Sequence, residues 1–214
     1  MPAAATQRPA AAATQRLFVA IDPPPEALTD LGAIVDSLEV SRANAPGHST
    51  RLTSRDGWHI TVAFLGDVPE DRVAAAAAAM RASADRATPL RLAFAGGGTF
   101  GKGRSAILWT GLDGDVPGLR RLGGSLRRDL RRARLPFDAK PLHPHLTISR
   151  PGERVSREQV AADVETLAGY VGPEWTANVM HLMLSEMRHT DTGPKPRYTS
   201  IAIAPLGQPP VDAS

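Results

Sequence analysis

Two stretches decide how this chain is read: Trp58–Leu65, WHITVAFL, and His145–Ser149, HLTIS. The first stops at Gly66, and the second follows the prolines Pro136, Pro141 and Pro144. Both are short, apolar and β-branched, which predicts strands. Both contain the same tetrapeptide pattern, His59-Ile60-Thr61-Val62 and His145-Leu146-Thr147-Ile148. Side chains alternate along a strand, so each histidine shares a face with the threonine two positions on, about 7 Å away. Ile60, Val62, Leu146 and Ile148 then point to the opposite face and enter a core.

Outward from these motifs, the chain reads as two similar halves. In the first, a strand at Arg16–Ile21 ends at Pro23, Pro24 and Pro25. A helix pattern follows from Glu26 to about Val40, with Leu28, Leu31, Val35 and Leu38 on one side. After the first motif come an alanine-rich helix over about Glu70–Ala84 and a strand around Leu90–Ala95. The second half opens with a strand at Ser105–Leu112 and a turn at Asp113-Gly114, then a helix with Leu119, Leu122, Leu126 and Leu130 on one side. The second motif follows, then a helix over about Arg157–Ala168 and strands at Val179–Glu186 and Tyr198–Ile203. Strand–helix–strand thus occurs twice, with the histidine motif on the second strand each time. A single unit would leave one sheet face bare, so the expected fold is α+β with two pseudo-symmetric lobes. Each lobe is an antiparallel sheet with helices outside, and the site lies in the central cleft. The expected boundaries are an Ala/Pro-rich disordered tail over residues 1–15, one bilobal domain over 16–206 and a tail over 207–214.

Composition narrows the function classes. A hydrophobic fraction of 42% over 214 residues suffices for a sizeable core. No apolar run approaches the ~20 residues of a membrane span, and the N-terminal stretch lacks a signal-like apolar core. A cytoplasmic protein with no membrane association is expected. Without cysteine there is no disulfide, thiolate metal site or cysteine nucleophile. The net charge of +3 permits an anionic partner without identifying one. Many arginines lie on the outer side of the Leu119–Arg134 helix, where charged faces are ordinarily just solvated.

The paired motifs suit phosphodiester chemistry. In-line displacement at phosphorus needs a base on the attacking oxygen and an acid on the leaving oxygen, on opposite sides. Histidine titrates near neutrality, so one of a pair can be neutral while the other is protonated. Thr61 and Thr147 can donate to the non-bridging oxygens. Arg150, three residues after Thr147, adds a bidentate contact if the chain bends there. No metal or other cofactor is expected, because neither motif carries a nearby carboxylate or second histidine at zinc-ligand spacing. His143 is separated from His145 by Pro144 and is given a supporting role. His48, His181 and His189 are given none.

These strings in this order resemble the bacterial and archaeal RNA 2',3'-cyclic phosphodiesterases, also called 2'-5' RNA ligases, of the two-histidine phosphoesterase superfamily. The resemblance runs from about Arg16 to Leu206. It rests on RLFVAIDPP, WHITVAFLGDVP, GTFGKGRSAILWTGL (Gly98–Leu112), HPHLTISR (His143–Arg150) and LMLSEMRHTDTGPKPRYTSIAIAPL. It implies a bilobal fold and metal-independent hydrolysis of a 2',3'-cyclic phosphate at an RNA end to a 2'-phosphate, with 2'-5' ligation as the reverse. It implies that His59 is the proton donor to the leaving 3' oxygen, His145 the acceptor that activates water, and Arg150 the phosphate-contacting arginine. The residues alone do not separate donor from acceptor. The expected partners are RNA ends, and the expected state is a monomer.

Among the aromatics, Phe64 lies three residues past Thr61, which assigns it to the opposite face and hence to the core. Phe100 follows a glycine run in a loop and is a candidate base contact, the alternative being a lid over the core. Trp58 and Trp109 are read as core. Two other functions compete with this reading: a non-catalytic nucleotide- or RNA-binding module of the same fold, and a zinc hydrolase.

Overall fold

A computed structural model describes residues 13–42, 51–101, 106–150, 155–190 and 193–207. The expected tails lie outside the described residues over 1–12 and 208–214, as do residues 102–105, which include the start of the strand expected at Ser105–Leu112.

Strand β1, Thr14–Ile21, begins two residues before the expected start. Pro25 occupies the first turn of α1, Pro25–Ser37, where its missing N–H costs nothing. The predicted helix breaks at Leu38, whose ψ of 150° is extended, and resumes as α2, Glu39–Arg42. The amides of Glu39 and Val40 at that restart donate to the buried carboxylate of Asp163, at 2.6 and 3.0 Å. This satisfies two orphan N–H groups with a side chain from α5, Arg157–Ala168. That last helix starts on a capping box made by Ser156 and Gln159.

Strands β2, Arg51–Leu52, and β3, Ile60–Pro69, are followed by a 3-10 turn over Glu70–Arg72 and helix α3, Val73–Asp85. Strand β4, Leu90–Phe100, runs five residues beyond its predicted end and contains the whole glycine run. Strand β5, Ile107–Gly114, leads to α4, Val116–Arg132, and then to β6, Leu146–Arg150. After α5 come β7, Trp175–Ala177, β8, Val179–Thr190, and β9, Gly193–Pro205.

These strands form one sheet in the order β7-β4-β5-β6-β3-β1-β8-β9, with β2 paired to β6. The two lobes are expected and present, but they are not the two sequence halves. Strand β4 pairs with β5 rather than with the first-half strands, and β8 returns from the C-terminal side to pair with β1. The lobes are therefore β3-β1-β8-β9 and β6-β5-β4-β7, mirrored about the β3/β6 junction. Sequence order hides this exchange because neighbouring strand patterns do not state their partners.

The helices cover one face of the sheet. Leu119, Leu122, Leu126 and Leu130 of α4 are all buried, as their spacing predicts. A Cβ at Gly123 would lie 2.9 Å from Leu142 and 3.7 Å from Val62, so α4 packs on the face that Val62 takes. Its arginines consequently lie on the far side of the sheet from His59 and His145. Among the described residues, no helix is long and apolar enough to cross a membrane.

Candidate active site

The two motifs meet where the lobes join. Strand β3 is bonded to β6 through the single antiparallel pair Ile60↔Leu146, and both side chains are fully buried. In that register His59 lies opposite Thr147, and His145 lies opposite Thr61. The four side chains occupy the opposite face from Ile60 and Leu146, each only partly exposed. With only one bonded pair at the junction, the strands are free to diverge on either side and leave a cleft.

Both imidazoles are fixed in the same way. His59 Nδ1 lies 2.8 Å from the carbonyl oxygen of Gly57, and His145 Nδ1 lies 2.7 Å from that of His143. A carbonyl can only accept, so each Nδ1 carries a proton and donates it. Each Nε2 is left to exchange a proton with a ligand.

Their electrostatics differ. Burial pushes His59 below the ordinary histidine range; the Gly57 carbonyl and the Asp22 carboxylate oppose this shift, and the charge of His145 adds to it. Burial likewise lowers His145, its backbone bond to His143 opposes the shift, and the neighbouring His143 ring lowers it further. Thus burial and a neighbouring imidazole oppose the cationic form at both histidines, and a carboxylate, Asp22, counters them at His59 alone.

A bulge in each motif strand sets the next residue. Across β1 the partners run Phe18↔Phe64, Val19↔Ala63, Ala20↔Thr61, which leaves Val62 unpaired. Across β5 they run Leu108↔Ser149, Trp109↔Thr147, which leaves Ile148 unpaired. Each bulge reverses the alternation, so the residue five after each histidine rejoins the histidine face. On β6 that residue is Arg150, exposed and on the cleft side, the bend its expected phosphate contact required. On β3 it is Phe64. The core assignment of Phe64 is therefore wrong: it is 53% exposed, with its ring 6.0 Å from that of Phe18.

Aromatic rings wall both sides. Beside His59 stand Phe18, at a centroid distance of 4.8 Å, and Tyr198, edge-on at 5.2 Å. With Ala20 and Met183 they form a small cluster separate from the main core. Burial pushes the Tyr198 phenol above its ordinary value, and the charges of Arg150 and Arg16 oppose that shift.

Beside His145, Phe100 stacks on Trp109 at 5.2 Å and meets His145 edge-on at 4.8 Å. Phe100 ends a strand rather than lying in a loop. Trp109, expected in the core, pairs with Thr147 and so faces the cleft. Gly98, its partner on β4, permits this placement, since a Cβ there would lie 2.6 Å from the indole. His143 packs on the same wall, 4.9 Å from Trp109. Trp58 is buried as expected.

Sequence reasoning missed Phe18, Tyr198, Asp22, Arg16 and Trp109. All but Trp109 come from segments far from both motifs in the chain or inside an unbroken apolar run. His181, given no role, lies 3.0 Å from the Ser200 hydroxyl and 3.8 Å from Asp22. Among the described residues, no three histidine or acidic side chains group to hold a metal ion.

The E. coli LigT structure superposes with a TM-score of 0.68 at 24% identity, covering 91% of this chain and 99% of that one. A Thermus thermophilus protein gives 0.68 at 25%, covering 90% and 98%. The RNA 2',3'-cyclic phosphodiesterase of Geobacillus stearothermophilus is 34% identical over 157 residues, which is 71% of this chain and 46% of that protein. That of Escherichia coli K12 is 29% identical over 136 residues, 64% of this chain and 72% of that one. The chain thus spans about half the length of the first of these relatives. The 2'-5' RNA ligase superfamily profile matches residues 23–190, a stretch that holds both histidine motifs and most of the sheet. With most of its length matched and its motif strands meeting at the lobe junction, this chain belongs to the 2'-5' RNA ligase superfamily.

Proposed function

We propose that the protein hydrolyses the 2',3'-cyclic phosphate at an RNA end to a 2'-phosphate, using His59 as acid and His145 as base. The observation that carries this reading is the mirrored pair of imidazoles, each with Nδ1 tied to the carbonyl two residues before it and Nε2 left for a ligand. Relatives named RNA 2',3'-cyclic phosphodiesterase support the substrate class, and an E. coli LigT structure is a complex with 3'-AMP.

Neutral His145 takes a proton from water through Nε2 as the water oxygen attacks phosphorus. The P–O3' bond breaks on the opposite side, and O3' takes the Nε2 proton of His59. The products are a 2'-phosphate and a free 3'-hydroxyl, with His145 protonated and His59 neutral until solvent exchange resets them. Burial, the largest influence, disfavours the cationic form of both imidazoles; the Asp22 carboxylate counters it at His59 alone, and this is the feature that favours His59 as the acid. Thr61 and Thr147 donate to the non-bridging oxygens, and Arg150 places a planar cation beside them. A 5'-hydroxyl in place of water attacks the same phosphorus, breaks the same P–O3' bond and makes a 2'-5' bond. One chain supplies both motifs, so a monomer suffices. The reading places it in the cytoplasm, where RNA cleavage generates such ends.

Two imidazoles and a guanidinium supply what a metal ion otherwise would, so turnover of an oligoribonucleotide ending in 2',3'-cyclic phosphate is expected to persist in EDTA. Loss that zinc or manganese restores would replace this mechanism by a metal-assisted one. Binding of the RNA end without turnover would favour a purely binding module.

The pH profile of kcat/KM is expected to be a bell displaced to the acid side of an ordinary histidine pair. Burial lowers both groups, so His145 becomes available as base at lower pH and His59 loses its acid proton at lower pH. The limbs belong to the coupled pair. In Asp22→Asn the alkaline limb should move further down, because the carboxylate that sustains the His59 proton is gone. An unmoved limb would remove Asp22 from this role.

A further inference from the structure

The positive charge of the chain is gathered on one helix. Between Asp115 and Arg134 lie seven arginines and two aspartates, a net +5 in a chain whose total is +3. The rest of the sequence is therefore net acidic, and the basic character belongs to the outer side of α4. The buried Asp129 takes Arg86 and Arg132, and Asp115 lies 3.6 Å from Arg121. Arg120, Arg127 and Arg128 have no ion pair among the described residues. Arg127 and Arg131, like Arg128 and Arg132, are four apart, a spacing at which like charges repel along a helix. A polyanion laid on this face would relieve that repulsion.

Two adjacent glycines interrupt the same helix, and glycine is a poor residue for a helix interior. Gly123 has a packing reason, with Leu142 standing 2.9 Å from where its Cβ would be. Gly124 has none: it is partly exposed, and a Cβ there would meet only the Nη1 of Arg128, at 3.9 Å. Residues three and four apart are neighbours on a helix surface. The neighbours of Gly124 are thus Arg120, Arg121, Arg127 and Arg128, every one an arginine. The missing side chain leaves a notch with an arginine at each corner, and the guanidinium of Arg128 leans over it.

We propose that this notch is a phosphate site, and that the outer side of α4 binds the backbone of double-helical RNA. Guanidinium groups take phosphate oxygens through parallel N–H bonds, and the bare backbone at Gly124 lets a phosphate sit low between them. Arg131 and Arg132 continue the row, so that Arg120 to Arg132 spans about 18 Å at 1.5 Å per residue. Helix α4 carries no aromatic residue, so unpaired bases find no ring to stack on, and outward-facing duplex phosphates suit it better than a single strand. Its four leucines are buried, so it offers nothing apolar to insert into a lipid surface. The RNA reading of the cleft enters only in the choice of RNA over DNA. Because α4 lies on the far side of the sheet from His59 and His145, a stem held here is separate from an end in the cleft.

Fluorescence anisotropy with a labelled RNA duplex whose ends are ordinary hydroxyls tests this without turnover. Binding is expected, with log Kobs falling against log salt at a slope of about −3 to −4, as for four neutralised phosphates. Arg120→Glu combined with Arg128→Glu should weaken it by about tenfold or more. Gly124→Gln should weaken it comparably although every arginine remains. That variant should also raise the thermal midpoint, since glutamine is the better helix former, so its lost binding is not lost folding. Single-stranded RNA of the same length should bind more weakly, and no variant should alter turnover of a nucleoside 2',3'-cyclic phosphate. Absence of duplex binding, duplex affinity unchanged in both variants, or a single strand bound as tightly would overturn the site. So would binding to phosphatidylglycerol vesicles in place of RNA. Loss in the arginine pair with Gly124→Gln at wild-type affinity would mean a diffuse field of charge and no notch. If the duplex binds as expected to a protein that turns over no cyclic phosphate, the catalytic reading fails and this site stands.

Discussion

Replacing either His59 or His145 by alanine is expected to lower kcat on a 2',3'-cyclic phosphate by about 10²- to 10⁴-fold, the usual contribution of a positioned acid or base. The fold should survive, because both rings lie on the cleft face while the buried Ile60 and Leu146 bond the strands behind them. Affinity for a 2'-phosphate product should change little, since Thr61, Thr147 and Arg150 remain. The double variant should be scarcely slower than the worse single one, because the two groups act in one concerted transfer and their losses do not add. Near-wild-type kcat in either single variant would remove that histidine from the reaction.

The second large effect is expected at Arg150. Its place on the cleft face depends on the bulge at Ile148, and its charge reaches the Tyr198 hydroxyl next to His59. A guanidinium can bridge two non-bridging phosphate oxygens through parallel N–H groups, while an ammonium offers a point charge. Arg150→Ala should lose about 10²- to 10³-fold in kcat, comparable to removing one oxyanion donor. Arg150→Lys should fall between that variant and wild type. The loss should appear in kcat as well as KM, because the negative charge on those oxygens grows in the transition state. If both substitutions are silent, Arg150 is an exposed strand end and no more.

The parts of the site that are legible in the sequence are those written in one contiguous pattern. His-x-Thr-x repeats in two predicted strands, and strand alternation alone places each histidine and threonine together. The four leucines of α4 and the limits of α5 follow from helical spacing in the same way. Alternation fails where the strands bulge, and this is why it sends Phe64 to the core and why Arg150 needs a bend. A bulge inserts one residue against a partner strand, and nothing in WHITVAFL marks Val62 as that residue. The exchange of β4 and of the β8–β9 pair between lobes is likewise a matter of pairing, not of local pattern. Phe18 and Tyr198 reach His59 from opposite ends of the chain, so no spacing rule could bring them together. Phe18 lies in RLFVAI, a run apolar throughout from Leu17 to Ile21, where one face cannot be told from the other. Gly98 is the one hint that Trp109 faces the cleft. A glycine in a strand interior often marks the close approach of another group, and here the group is that indole.

The position of the product phosphate tests the central claim most directly. The assignment of His59 to the leaving 3' oxygen requires that only the P–O3' bond breaks. Incubation of a nucleoside 2',3'-cyclic phosphate with the protein in EDTA, followed by phosphorus NMR, should yield the 2'-phosphate alone. The His59→Ala and His145→Ala variants should leave the cyclic ester intact over the same period. Formation of the 3'-phosphate, or of both isomers, would contradict the proposed polarity of acid and base, and no turnover by the wild-type protein would contradict the function itself.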